Sequence, residues 1–243
     1  MKHSVEIIIP MLNEEEVLQK NATILHNFLD KNCKIPWKIV LYSNGSTDKT
    51  VEIGTALSKR YKRIVFKHIP ERGRAKVLKM AWMESKASIL SYMDADLSTE
   101  LEAFPKCLNE IMEGRADIAI GNRLSNSRTT ERSLKREIIS RGWNGLIHLF
   151  FPFTKVIDSQ CGFKLFRTSV VRSILPHIKD NKFFFDTELL MLAEHSGYRI
   201  YQLPVKWIER KASKVKLMRT ITDYVFRLAE LRFRVWKLLL SRS

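Results

Sequence analysis

A mainly parallel α/β sheet with helices on both faces is the expected architecture of this chain, and three observations in its first half carry that expectation. Short β-rich runs alternate with helix-length segments, which is the pattern of repeated strand–helix–strand units. The runs are continuously apolar, as strands are when both faces of a sheet are covered. Three of them end in polar loops, the place where ligands collect in open α/β sheets.

Taken in order, Val5–Ile9 reads as a strand and Glu15–Lys31 as a helix, with Asn13 as N-cap and Glu16 three residues on. Lys38–Tyr42 is the second strand. The loop Ser43-Asn44-Gly45-Ser46-Thr47-Asp48 follows it, where Gly45 permits a tight turn and Ser46 or Thr47 can cap the helix Lys49–Tyr61. Arg63–His68 is the third strand and Ala75–Ser85 the third helix. Between them, Glu71-Arg72-Gly73-Arg74-Ala75-Lys76 gathers cations around a glycine at a helix start, which suits a diphosphate and equally a solvated charge cluster. Ser88–Met93 is the fourth strand, Glu100–Glu113 a helix opened by a Thr99/Glu102 capping box, and Ala116–Gly121 the fifth strand.

Beyond Gly121 the pattern loosens. Asn122–Arg132 is a polar loop, Ser133–Phe150 a basic helical stretch, Gly162–Phe166 a short strand, Thr187–His195 a helix and Arg199–Trp207 a strand. A basic amphipathic helix occupies about Leu217–Leu240. No linker divides the chain, so residues 1–216 are expected to form one domain, with 217–243 as a terminal helix of the same unit.

The balance of 42 Lys and Arg against 26 Asp and Glu, a net charge of +16, implies a nucleic acid, an anionic membrane surface or a polyphosphate substrate as partner. No helix-turn-helix, zinc or RNA-binding pattern is present, which argues against nucleic acid. Cys33, Cys107 and Cys161 suit a reducing compartment rather than a disulfide framework. With no signal-peptide pattern and no charge-free apolar run long enough to span a bilayer, the expected location is cytoplasmic.

Asp94-Ala95-Asp96, directly behind the fourth strand, is the most informative feature. With the following cap assigned to Thr99, two acids one residue apart remain at a sheet edge. That is where a hard cation such as Mg²⁺ or Mn²⁺ would bridge carboxylates to a diphosphate.

The ordered set Pro-x-x-Asn-Glu (10–14), Asn-Gly-Ser-Thr-Asp (44–48), Arg-Gly-Arg-Ala (72–75) and Asp-Ala-Asp-Leu (94–97) resembles inverting family-two glycosyltransferases of the Rossmann-like GT-A fold. Segments 121–123, 136–142 and 209–214 are similar to polyprenyl-phosphate sugar transferases, and 158–166 and 185–190 resemble the dolichyl-phosphate glucosyltransferase branch more than the mannosyltransferase branch. The resemblance implies transfer of a hexose, UDP-glucose favoured over GDP-mannose, to a polyprenyl or dolichyl phosphate at the cytoplasmic membrane face. A soluble-acceptor transferase is the alternative. A sugar nucleotidyltransferase would open with a glycine-rich first loop, which residues 10–16 lack.

Carried over by position, the resemblance implies that Pro10, Leu12 and Glu14 border the base. The donor site would further include Ser43, Gly45, Ser46, Asp48, Gly73, Arg74, Lys76, Asp94, Ala95 and Asp96. Asp94 and Asp96 would hold the metal, Mg²⁺ or Mn²⁺. Arg123, Arg136 and Ser140 would take the acceptor phosphate, with Arg210 and Lys214 closing over the phosphates; Asp94, Asp96, Arg123 and Arg136 form the catalytic set. Two positions depart from the pattern: Ser43 stands where many relatives carry a base-contacting acid, and Ser98 where mannosyl relatives carry a third metal ligand. Asp186 lies where soluble-acceptor relatives place a base; a first-turn helix acid is the preferred reading. The terminal helix, with the run Leu146–Phe151, is expected to lie in the headgroup region of an anionic membrane. Packing on its own domain or against a second copy is the alternative.

Overall fold

The computed structural model describes residues 3–125, 130–131, 134–182, 184–208 and 217–240. Its strands are β1 (Val5–Met11), β2 (Trp37–Asn44), β3 (Ile64–Ile69), β4 (Ile89–Met93), β5 (Ile118–Asn122), β6 (Thr130–Glu131), β7 (Phe163–Arg167), β8 (Ile200–Pro204) and β9 (Trp207–Ile208). The helices are α1 (Glu15–Asn32), α2 (Thr50–Arg60), α3 (Arg74–Glu84), α4 (Ala103–Met112), α5 (Leu134–Phe150), α6 (Thr168–Ile174), α7 (Phe185–His195) and α8 (Leu217–Leu240).

Seven strands form one sheet in the order β3-β2-β1-β4-β7-β5-β8. Every pairing is parallel except those of β7, which runs antiparallel to both β4 and β5. That reversal matters for the site. An antiparallel strand starts where its neighbours end, so Phe163 pairs with Met93 and residues 158–162 arrive at the same edge as Asp94 and Asp96.

Side chains alternate between two cores, as period-two strands require. Ile7, Ile9, Ile39, Leu41, Leu165 and Phe163 pack on one side with Leu18, Leu25 and Leu108, from α1 and α4. Ile8, Val40, Leu90, Tyr92 and Phe166 pack on the other with Leu78, Leu189 and Leu228, from α3, α7 and α8.

Several local expectations are corrected. Helix α4 begins at Ala103 with no side-chain cap from Thr99. Instead Thr99 bridges to Trp207, Ile208 N donates to Ser98 O at 2.9 Å, and Glu100 N donates to Lys206 O at 3.1 Å. Pro105 explains the late start: it lacks an N–H, which costs little only within a first turn. Asn13 is not a helix cap but a left-handed residue, φ 55°, and neither Ser46 nor Thr47 caps α2. The strand expected over 199–207 breaks after Pro204, and β9 pairs with β6, inside the segment expected to be loop. Helix α6 went unforeseen.

Candidate active site

Three loops at the carboxyl ends of β1, β2 and β3 are stitched together by their own polar side chains. Asn13 Oδ1 accepts from Thr47 N at 2.8 Å and Asn13 N donates to Ser46 Oγ at 3.1 Å. The starts of α1 and α2 cap one another: Asp48 Oδ2 accepts from Glu15 N (3.2 Å), Glu15 Oε2 from Lys49 N (2.9 Å), and Thr50 Oγ1 from Glu14 N (2.8 Å). Asn44, buried, donates to Met11 O at 2.7 Å and accepts from Gly73 N at 3.1 Å. Gly45 turns the second loop at φ 72°, and a Cβ there would meet Pro70 O at 3.0 Å, so only glycine fits without strain. Ser46 and Asp48 therefore hold the loops, while Pro10 and the exposed Leu12 sit at the open edge. Ser43 is buried and bonds Ser46 Oγ at 2.9 Å and His68 Nδ1 at 3.1 Å. Lys76 pairs with Glu71 at 3.4 Å.

At the end of β4, Asp96 Oδ1 accepts from Ser98 N at 3.0 Å. Ala95 is buried, its carbonyl taken by Asn21 Nδ2 at 2.9 Å. Asp94 Oδ1 accepts from Arg74 Nη2 at 3.0 Å. Burial pushes the Asp94 carboxyl up, with Asp96 and Asp186 adding to the rise and Arg74 opposing it. Its side chain nonetheless keeps 45% of its surface open, so it can exchange partners. Opposite stands Gly162, where a Cβ would collide with all three carboxylate atoms of Asp94; the missing side chain is the space the carboxylate occupies. These residues fit a hard divalent cation. They offer oxygen donors, and a guanidinium already stands in for positive charge on Asp94. No cluster of three metal-binding side chains occurs among the described residues, so water and diphosphate oxygens would complete the shell.

Behind the acids lies a network that the sequence reading missed. Asp186, on the first turn of α7, is buried and not solvated. It accepts from Lys164 Nζ at 2.9 Å and from the Tyr92 hydroxyl, and it faces Arg74 Nη1 at 3.7 Å. Burial alone would raise its carboxyl, but Lys164 and Arg74 outweigh that and hold it below the usual carboxylate range. A lysine inside the apolar run 163–166 was the available signal, because a buried ammonium demands a partner. Arg123 is likewise engaged: its Nε and Nη2 grip Asp158 at 2.7 and 2.8 Å, its backbone N adds a third bond, and its guanidinium lies 5.6 Å from the Trp207 ring centroid. Asp158 is fully buried, so the Arg123 charge is balanced within the pair.

Ser140 lies on α5, its carbonyl accepting from Asn144 Nδ2 at 2.8 Å. Arg136 lies on the same helix, with its side chain outside the described residues, as are Arg210 and Lys214. Ile208, the last residue before that second segment, pairs with Ser98 beside the acids.

Helix α8 is both core and surface. Tyr224, Leu228, Leu231 and Val235 are buried, and the Tyr224 hydroxyl meets Thr187 Oγ1 at 2.6 Å. Phe226, Phe233 and Trp236 face outward. At the end of α5, Ile147 and Phe151 are core, whereas Leu149 and Phe153 are exposed, Phe153 by 90%. The half-buried Phe150 of α5 lines one groove with Ala229, Arg232, Phe233 and Trp236 of α8. No helix among the described residues is long and apolar enough to cross a membrane.

Residues 6–175 match the glycosyl transferase family 2 model. The chain is 31% identical over 222 residues to glycosyltransferase AglD of Haloferax volcanii, covering 89% of this chain and 35% of that protein. It is 32% identical over 223 residues to dolichyl-phosphate β-glucosyltransferase of Drosophila melanogaster, covering 86% of this chain and 68% of that one. It thus spans about a third of the first relative and about two thirds of the second. Among solved structures, glucosyl-3-phosphoglycerate synthase of Mycobacterium tuberculosis with Mn²⁺, UDP and glucosyl-3-phosphoglycerate superposes with a TM-score of 0.68 at 12% identity, covering 96% of this chain and 80% of that one. That likeness is one of fold.

Proposed function

The chain belongs to glycosyl transferase family 2 and has its GT-A fold, and from that premise we propose that it transfers glucose from UDP-glucose to a polyprenyl phosphate of the dolichyl type. The observation that carries the reading is the acid edge: Asp94 and Asp96 at a strand end, a glycine opposite that leaves room for Asp94, and Arg74 paired to it. The relatives named dolichyl-phosphate β-glucosyltransferase supply the substrate class; UDP stands in the glucosyl-3-phosphoglycerate synthase structures and GDP-mannose in a mannosyltransferase of Pyrobaculum calidifontis, so a glucosyl donor favours uridine.

The chemistry follows from the acceptor. A lipid phosphate is anionic near neutral pH and attacks the anomeric carbon without losing a proton to a strong base. The protein's work is to hold two phosphate-bearing molecules in line despite their repulsion. Pro10 and Leu12 border the base, and Arg74 faces the diphosphate. Asp94 and Asp96 would hold Mg²⁺ or Mn²⁺, which when bound stabilises charge on the departing diphosphate. Arg136, Ser140, Arg210 and Lys214 meet the acceptor phosphate, with Arg123 fixed on Asp158 as a wall of that pocket. In-line displacement inverts the anomeric configuration.

The acceptor lives in a bilayer, and the aromatic surface of α8 and the α5 end, set among Arg232 and Lys237, supports peripheral docking on the anionic cytoplasmic face of a membrane. Incubating the purified protein with dolichyl phosphate, Mn²⁺ and a panel of labelled nucleotide sugars tests the proposal. A labelled lipid from UDP-glucose, lost in EDTA, is expected; no labelled lipid from any donor would overturn it.

A further inference from the structure

Lys164 is fully buried, the second residue of β7 and directly across from Tyr92 in the antiparallel register. Its ammonium donates to Asp186 Oδ1 at 2.9 Å, to the Tyr92 hydroxyl at 2.8 Å and to Cys161 O at 2.6 Å. All three of its protons are used. Asp186 turns its second oxygen toward Arg74, and Arg74 in turn holds Asp94 and lies 5.2 Å from the Tyr92 ring centroid. The result is a row of alternating charge, Lys164–Asp186–Arg74–Asp94, that runs from the buried interior to the open edge of the sheet. The inner pair is fixed by burial, and the outer pair is close to half exposed.

Were Asp94 the only anion near Arg74, a donor that took over Asp94 would leave a long flexible cation to swing into solvent. Asp186 gives Arg74 a second anion, buried and 3.7 Å away. We propose that Lys164 and Asp186 are positioning residues that retain Arg74 at the donor diphosphate, where Arg74 gives up Asp94 and takes the diphosphate in its place. The proposal rests on the donor site described above. It also assigns Asp186 a different task from that of an acceptor base: one oxygen is committed to Lys164 and Tyr92, and the other looks toward the donor side.

The test is calorimetric titration of UDP, and separately GDP, in Mn²⁺ against wild type, Arg74→Ala, Asp186→Asn and the double variant. Asp186→Asn is isosteric and can keep the Tyr92 contact. Losing one well-placed charge-assisted contact weakens binding by about 10- to 100-fold. Each single variant is expected to show a loss of that order, and the double variant no more than Arg74→Ala alone, because Asp186 acts through Arg74. Lys164→Met is expected to lower Tm by stranding a buried carboxylate, and Lys164→Met with Asp186→Leu to recover Tm while leaving UDP binding weak. Additive losses, or wild-type nucleotide affinity in Asp186→Asn with a collapsed kcat, would overturn the inference and make Asp186 an independent or basic group. Wild-type protein that binds neither nucleotide would overturn the functional reading, and this inference with it.

Discussion

Replacing Gly162 with alanine strikes the acid edge without touching a charged residue. The added methyl would stand 2.7 Å from Asp94 Oδ1, the farthest of the three carboxylate atoms, and would overlap the other two outright. Real Cβ contacts keep about 3.0 Å, so the carboxylate must retreat by about 1 Å or more, away from the position in which it meets Arg74. A displacement of that size at a reacting centre costs roughly 100-fold in rate, or about 2.7 kcal/mol of barrier. The carboxylate side chain is close to half exposed and can swing outward, so the stability loss should stay within about 1–3 kcal/mol. Gly145→Ala is the control: it lies mid-helix on α5 with nothing within 4 Å of a new Cβ, and it should gain roughly 0.5–1 kcal/mol of stability. Glucosyl transfer measured beside thermal melts separates the two effects. Transfer by Gly162→Ala within a few-fold of wild type would refute the idea that Asp94 must sit where the structure puts it.

Two further outcomes follow from the buried charges and the terminal helix. Asp158 is lifted by burial but lowered further by Arg123, ending below its ordinary value of 3.8. Its stabilising contribution is therefore complete above that value and lost as pH falls through the depressed one. Asp158→Asn should cost about 3–5 kcal/mol near neutrality, because it removes the buried carboxylate that balances the Arg123 charge, and should flatten the acid side of a plot of urea midpoint against pH; an unchanged acid limb would contradict the pairing. Removing α8 strips Tyr224, Leu228, Leu231 and Val235 from the core, at about 1.5–3 kcal/mol each, so truncation before Leu217 should unfold the chain. The membrane proposal is better tested by Phe233→Ser with Trp236→Ser, which should weaken sedimentation with anionic liposomes and leave Tm near wild type.

Much of the fold was readable because periodicity and strand-end loops are local signals. The five early strands lie where their apolar runs are, and Asp94 and Asp96 stand at a sheet edge as their position behind an apolar run implied. Non-local features were not readable. The antiparallel entry of β7 brings Gly162 against Asp94 and Lys164 against Tyr92 across 68 and 72 positions, and no spacing rule announces either. Cap assignments failed for the same reason. Thr99 and Asn13 carry good capping chemistry, but the chain spends one on a bridge to Trp207 and the other on Thr47 of the neighbouring loop. The burial of Asp186 was missed because a first-turn acid is ordinarily solvated, and only its contact with Lys164 tells otherwise. Arg123 was visible as a cation but not as half of a buried pair, because Asp158 lies 35 residues away.

An anionic acceptor, as proposed, needs no base, and Asp186 is held by Lys164 and the Tyr92 hydroxyl, with Arg74 at 3.7 Å, rather than free to take a proton. Presenting dolichyl phosphate and dolichol side by side, with UDP-glucose and Mn²⁺, and identifying the lipid products by mass tests the choice of an anionic acceptor most directly. The expected result is a glucosyl phosphate diester from dolichyl phosphate and no glucoside from dolichol. Comparable glucosylation of the free alcohol would contradict the account.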